Sequence, residues 1–318
     1  MSDKAFRAGV AGVGAIGRNH ARVMAEIAAA SGGKVEFTAI YDVDQARAEE
    51  LAAQFKTKAV SDLAAFADAV DAATVAVPTI FHKEVGGHLL ERGKHVLIEK
   101  PISDSLDEAQ WLVNKANDAG LILQVGHIER FNPVMRQLEE RMNNPRFIEA
   151  HRLSPFPNRS MDIGVVLDVM IHDIEIVLHL VKSPLIDVDA VGIPVLTRRE
   201  DIANARLKFE NGCIANITAS RVSPEKLRKI RVFQSESYLS LDYQEQSGHI
   251  YTRQGMEIKR EDVQVEKDEP LKLELAAFVE SVRHGVQPKV SGQQGTDALK
   301  LALQITEAIM NQPLLPPA

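Results

Sequence analysis

The sequence predicts an α/β chain of two domains. An N-terminal doubly wound parallel sheet comes first, followed by an α+β domain with a largely antiparallel sheet. Three observations carry this. A glycine-rich turn joins the first apolar run to a helical pattern at Gly12-x-Gly14-x-x-Gly17. Strand and helix patterns then alternate as far as Val125. Beyond that point adjacent strand patterns follow one another, with Asn211-Gly212 as a hairpin signal.

The first half is justified element by element. Arg7–Ala11 is a short apolar strand running straight into the glycine turn. After Gly17 the residues Ala21, Val23, Met24, Ile27 and Ala28 recur at helical spacing, which predicts a helix over Ile16–Ala30. Strand, tight turn and helix in this order are the context a dinucleotide-binding loop requires. Gly12 allows the sharp turn, Gly14 lets the backbone approach a pyrophosphate, and Gly17 lets the helix pack close to the strand. Gly12, Gly14, Ala15, Ile16 and Gly17 are therefore the candidate cofactor loop, with free helix N–H groups aimed at the phosphates. Strands follow at Val35–Tyr41, Ala72–Val77, His95–Ile98 and Leu121–Val125, with helices at Gln45–Phe55, His82–Glu91 and Leu106–Ala119. Most of the strands are continuous apolar runs, as in a parallel sheet covered on both faces. The second strand ends on Asp42, 25 residues beyond Gly17. A carboxylate there accepts hydrogen bonds from ribose hydroxyls and repels a 2′-phosphate, which favours NAD over NADP. Asp42 as a helix cap is the other reading, but Asp44 fills that place better.

The second half reads as strands at Ala203–Phe209, Ile214–Ala219, Lys229–Gln234, Tyr238–Asp242 and His249–Thr252. Helices are expected at Gly164–Val181, Leu271–Arg283 and Thr296–Met310, with a loosely held Pro-rich tail from Gln312. The boundary is placed at Val125–Gly126, giving domains 1–125 and 126–318.

Composition narrows the function. The chain has 318 residues, 45% hydrophobic and 25% charged, enough for two ordinary domains with large cores. A net charge of −7 and 5% aromatics give no case for nucleic acid or an anionic membrane. The one cysteine, Cys213, forms no disulfide within the chain, which suits the cytoplasm. No apolar run reaches a membrane span. The basic and apolar start is too rich in glycine for a signal peptide.

Three stretches could carry chemistry. Val77-Pro78-Thr79-x-x-His82 closes the third strand and puts His82 in the first helical turn on the cofactor side; on this motif alone an exposed loop histidine is the better reading. Glu99-Lys100-Pro101 places a charged pair at the carboxyl end of a buried strand, where open sheets bind ligands. Pro101 fixes the turn, and the Lys100–Pro101 peptide is expected to be cis. Lys100 could then bind a substrate hydroxyl or relay its proton; the alternative is a solvated pair at a strand end. In the apolar helix Gly164–Val181, the residues Asp168, His172, Glu175 and His179 form one narrow polar stripe. Asp168 and His172, four apart, suit a general base and its orienter. A structural seam, for Glu175 and His179, and a metal site remain open. No cysteine pair or H-E-x-x-H supports a metal, and none is expected.

Taken together, Gly12–Gly17, Asp42, Pro78…His82, Glu99-Lys100-Pro101 and Asp168-x-x-x-His172 resemble the Gfo/Idh/MocA oxidoreductase family over nearly the whole chain. The resemblance implies a Rossmann domain followed by a domain with an open-faced sheet, often used for homodimer or homotetramer formation. It also implies catalytic roles for Lys100 and His172, acting on one hydroxyl beside NAD. A narrower resemblance rests on Gly126–Pro133, which includes His127, Glu129 and Arg130, and on Asp162–Asp168. It is to family members that oxidise the C3 hydroxyl of UDP-N-acetylglucosamine for 2,3-diamino sugars of lipid A. It implies a nucleotide-sugar substrate held by Lys100, His127, Glu129, Arg130, Arg159, Asp162 and His172. Arg130, Arg152 and Arg159 are of a type suited to a diphosphate, although Arg152 reads as well as a surface residue. Inositol-type polyols are the alternative substrates, and an idle NAD-bound sensor is the alternative to an enzyme.

Overall fold

A computed structural model of the chain describes residues 5–156 and 163–311. In chain order the elements of the first half are β1 (Phe6–Ala11), α1 (Gly17–Ala30), β2 (Val35–Tyr41), α2 (Gln45–Phe55), β3 (Lys58–Val60), α3 (Leu63–Ala69), β4 (Ala72–Val75), α4 (His82–Glu91), β5 (His95–Glu99), α5 (Leu106–Asp118) and β6 (Leu123–Gly126). Then come α6 (Pro133–Arg141), β7 (Phe147–Leu153), α7 (Ile171–Val181), β8 (Leu185–Ile193), β9 (Ile202–Phe209), β10 (Ile214–Ser220), β11 (Leu227–Phe233), β12 (Ser237–Asp242), β13 (Ser247–Gln254) and β14 (Glu257–Asp262). Two helices follow, α8 (Pro270–His284) and α9 (Gly292–Met310). Two compact units result. One runs up to Phe131 and takes in Glu269–Thr296; the other is Asn132–Asp268 with the chain from Asp297 on. The sequence boundary at Val125–Gly126 leaves Glu269–Thr296 in the second domain, whereas their contacts lie with the first unit.

The first unit is built on a parallel sheet in the order β3-β2-β1-β4-β5-β6. The order reverses between β1 and β4, and at such a switch point the carboxyl ends of the strands leave a crevice for ligand. Val10 packs with Met24 of α1 and Val279 of α8, while Leu97 packs with Leu275 and Phe278 of α8. Burying a side chain of this kind stabilises by about 1.5–3 kcal/mol, so this apolar face is what returns α8 to the first unit. On the other face Gly9 sits under Phe66 of α3, and Gly86 of α4 sits against Ile98. The sequence reading passes over β3 and α3. β3 is a three-residue edge strand, and α3 is seven residues long, started by the Asp62 side chain accepting from the Ala65 N–H at 2.7 Å.

The second unit is an eight-stranded sheet, β14-β13-β12-β11-β7-β10-β9-β8, in which β7 and β10 are parallel and every other pair is antiparallel. Ile148, Ile217, Val232 and Leu239 point to one face and pack with Leu138 of α6, Ile174 and Val177 of α7, and Leu301 and Ile305 of α9. The opposite face carries a ladder of rings across four strands, Phe147, Phe233, Tyr238 and Tyr251, with centroids 5.8, 4.8 and 4.3 Å apart. Asn211-Gly212 does make the β9–β10 turn, but in a longer loop than the two-residue form. Gly212 N–H donates to Phe209 O at 2.9 Å, Phe209 N–H donates to Cys213 O at 3.0 Å, and Gly212 has φ +81°. α7 also departs from the expected unbroken α-helix. Val166–Met170 is a π turn, closed by the Ile171 N–H donating to Val166 O.

Candidate active site

The glycine loop is built as its spacing predicts. A Cβ on Gly17 would stand 1.8 Å from the Gly12 carbonyl oxygen, so helix and loop touch there. Gly12 has φ +83° and lies against the Val77 backbone. Gly14 is different, because a Cβ there would meet nothing within 4 Å. Protein fills the first two positions and leaves the third open, which fits a pyrophosphate approaching Gly14. Ala15 and Ile16 are exposed on the same turn. The first turn of α1 carries no side-chain cap and no acidic residue, so its positive end is left for an anion.

Asp42 is buried at the end of β2. Its Oδ2 accepts from the Val13 N–H at 2.7 Å and its Oδ1 from the Asp44 N–H at 2.8 Å, locking loop and strand end together. A carboxylate has about four acceptor positions, so it can still take ribose hydroxyls. The sequence reading gives no part to Arg47. Its guanidinium lies 2.8 Å from Asp44 and 3.8 Å from Asp42, so it is already matched by carboxylates. Asp42→Asn is expected to raise KM for NAD about ten- to hundredfold, the worth of hydrogen bonds to a charged group, while kcat holds. Steady-state kinetics at varied NAD checks this.

Val77, Pro78 and Thr79 follow β4, and His82 opens α4. His82 is buried, unlike the exposed histidine its motif alone suggests. Its Nδ1 lies 2.9 Å from Pro101 O and its Nε2 3.0 Å from Val77 O. The ring thus bridges the ends of β4 and β5, donating to whichever carbonyl its protonated nitrogen faces. Burial pushes its pKa down, although both carbonyls favour the charged form.

Glu99 and Lys100 sit at the end of β5, half-buried, and the Lys100–Pro101 peptide is cis, as expected. Glu99 Oε2 accepts from the Lys100 N–H at 3.1 Å, and Glu99 Oε1 lies 2.9 Å from His20 Nε2. Burial alone would raise the Glu99 carboxyl. The His20 hydrogen bond and the fields of His20 and Lys100 outweigh it and hold the carboxyl below its usual range. His20 has no role in the sequence reading. Its signal was present: with Gly17, Ala21 and Met24 it lies on the inward stripe of α1, where a polar residue needs a partner.

His127, Glu129 and Arg130 are all buried in the first unit. Burial lowers the His127 pKa to about 3, helped by the charge of Lys100, so the ring is neutral at working pH. In the second unit Asp168 lies in the π turn and His172 in the first turn of α7, both half-buried. A π turn inside a helix is frequent at functional sites. His179 pairs with Glu139 of α6 at 3.2 Å, and Glu175 is buried. Arg152 does not read as a surface residue once folded. It is buried and holds Asp173 through two hydrogen bonds, 2.8 and 3.0 Å, so its fork is spent inside the protein. Arg159 and Asp162 lie outside the described residues. Among the described residues no group of three His, Cys, Asp or Glu side chains could hold a metal. No helix among them is long and apolar enough to cross a membrane.

Residues 6–127 match the NAD-binding Rossmann domain of the Gfo/Idh/MocA oxidoreductases, and residues 136–240 match the C-terminal domain of that family. A UDP-N-acetylglucosamine 3-dehydrogenase of Acidithiobacillus ferrooxidans is 35% identical over 311 residues, covering 96% of this chain and 97% of its own. A solved structure of a protein of that name and organism superposes with a TM-score of 0.90, covering 96% of this chain and 98% of that one. A scyllo-inositol 2-dehydrogenase (NAD(+)) of Bacillus subtilis is 26% identical, covering 96% of this chain and 94% of its own. The chain belongs to the Gfo/Idh/MocA family and is an NAD-dependent oxidoreductase.

Proposed function

We propose that the chain oxidises the C3 hydroxyl of UDP-N-acetylglucosamine to the 3-keto sugar. The observation that carries this reading is the likeness to the Acidithiobacillus enzyme, which runs almost end to end at 35% identity and includes the second unit. The new carbonyl is the kind of group an aminotransferase needs, so the product suits a route to a 2,3-diamino sugar of the lipid A type. The reaction belongs to the cytoplasm, where nucleotide sugar and NAD are both present. The ring-lined outer face of the second unit's sheet is the surface we assign to a homodimer or homotetramer.

Gly12, Gly14, Ala15, Ile16, Gly17 and Asp42 would hold the dinucleotide, with Val77, Pro78, Thr79, His82 and Glu99 shaping its crevice. Bound NAD supplies the hydride acceptor. His172, oriented by Asp168, takes the proton of the hydroxyl. Lys100 serves as the donor that steadies developing negative charge on the substrate. Arg130 and the neutral His127 position the sugar nucleotide together with Glu129, Arg159 and Asp162.

The test is NADH formation by the purified protein with UDP-N-acetylglucosamine, other UDP-sugars and free inositols. Turnover of UDP-N-acetylglucosamine at least about a hundredfold above the inositols supports the reading; preference for an inositol replaces it with a polyol dehydrogenase. In the same assay His172→Ala is expected to lower kcat about 10²–10⁴-fold, the share of a positioned general base. A variant with wild-type kcat removes His172 from that role.

A further inference from the structure

Helix α8 carries a carboxyl group where its neighbours are apolar. Its inward stripe is Leu271, Glu274, Leu275, Phe278 and Val279, and all five are buried. Neither carboxyl oxygen of Glu274 has a hydrogen-bond partner among the described residues. The sheet face beneath is set by register. Thr74, Leu97 and Gln124 are Cα partners on β4, β5 and β6, so their side chains share one face. Leu97 packs with Leu275 and Phe278, which identifies this as the face that α8 covers. Glu99, two residues beyond Leu97, points the same way. Gly126 leaves room for its carboxylate, since a Cβ there would stand 3.0 Å from Glu99 Cδ. The Gln124 amide and the Thr74 hydroxyl are also buried with no hydrogen-bond partner among the described residues. Buried polar groups of this kind are satisfied by ordered water.

The charged groups around this face divide into two states. Glu99 and Lys100 end β5, and His20 of α1 bonds to Glu99. Glu129 and Arg130 lie on the short helix Ile128–Phe131 that packs against α8, and Arg22 pairs with Glu269 where α8 begins. Burial and the charge of Glu99 push the Glu274 carboxyl well above its usual range. His20 and Lys100 hold Glu99 in the opposite direction. Two neighbouring carboxyls pushed apart in this way become one acid and one base.

We propose that Glu274 is a positioning residue of the active site: as a neutral acid it turns its O–H toward Glu99, through buried water that Gln124 also holds, and keeps the Glu99 carboxylate aimed at the Lys100 backbone. Glu99 has acceptor capacity for this, because its two bonds leave about half of its four acceptor positions open. The proposal rests on the role given to Lys100 above, and its first test needs neither substrate nor NAD.

That test is the infrared spectrum of the ligand-free protein at neutral pH, wild type minus Glu274→Gln. A protonated-carboxyl C=O band is expected; a carboxylate band in its place overturns the proposal. Stability gives a second reading with a definite sign. Folded Glu274 keeps its proton to higher pH than the unfolded chain does. Its contribution is therefore full below the ordinary carboxyl range and lost as pH rises through the folded pKa. As pH rises above the ordinary carboxyl range, the melting temperature of wild type should fall relative to that of Glu274→Gln; a constant difference counts against the idea. In turnover, Glu274→Leu should lower kcat about tenfold with KM for NAD nearly unmoved. Glu274→Gln should restore kcat to within about threefold and carry the alkaline limb of kcat to higher pH. A Leu variant with the wild-type rate and profile overturns the positioning role. Failure of every sugar to turn over defeats only the substrate reading, because the infrared and melting results still decide the state of Glu274.

Discussion

Gly17→Ala is expected to melt at a lower temperature than wild type and to lose dinucleotide binding. The new Cβ would lie 1.8 Å from the Gly12 carbonyl oxygen and 2.8 Å from its carbon, and backbone cannot rotate away as a side chain can. Either α1 withdraws from the loop or the loop opens, and a forced shift of this kind costs about 1–3 kcal/mol or more. Gly14→Ala is the informative partner. Its Cβ meets no protein atom within 4 Å, so the ligand-free protein should melt as wild type does. NAD affinity should nevertheless fall, by about tenfold or more for a lost close approach worth ~1.4 kcal/mol. Melting curves with and without NAD, and a direct NAD titration, separate the two variants. A Gly14→Ala protein that binds NAD at full strength would remove the pyrophosphate from this loop.

Lys100→Met should lower kcat by about 10²–10³-fold, the usual loss when a donor to a developing oxyanion is removed. Methionine keeps the length of the side chain without the ammonium. The hydrogen bond from the Lys100 backbone N–H to Glu99 does not depend on the side chain, so the strand end should keep its shape. NAD affinity is therefore expected to change by no more than about threefold, and the deficit should appear in kcat. Single-turnover kinetics with saturating substrate measure it directly. A variant that loses only substrate affinity would make Lys100 a binding residue instead.

The residues behind these expectations were legible because each is forced by local chemistry. Only glycine fits at 12 and 17, and a proline after a charged pair marks a strand end at 99–101. Other parts left little trace. β14 is exposed at all six positions, so no apolar pattern announces it and only its pairing with β13 makes it a strand. β7 alternates cleanly between faces, but Arg152 stands at an inward position, where its partner Asp173 on α7 explains it. α6 had an unused sign, Asn132 accepting from the Val134 N–H with Pro133 opening the helix. Glu274 and His20 share a signal, a titratable residue on an apolar stripe, but what each faces comes from other elements of the sheet. Periodicity shows that such a residue is buried; it does not show which group answers it.

The π turn at Val166–Met170 has a consequence for how this segment can change. It accommodates one residue more than an α-helical turn would. Its five residues turn about the axis roughly as far as four α-helical residues do, so deleting a single residue there would close an ordinary α turn without rotating α7. Ile174 and Val177 would stay in the apolar layer, and Asp173 would keep Arg152. What would change is the bulge itself, which carries Asp168. Shortening this stretch by one thus separates the spacing of Asp168 and His172 from the packing behind them.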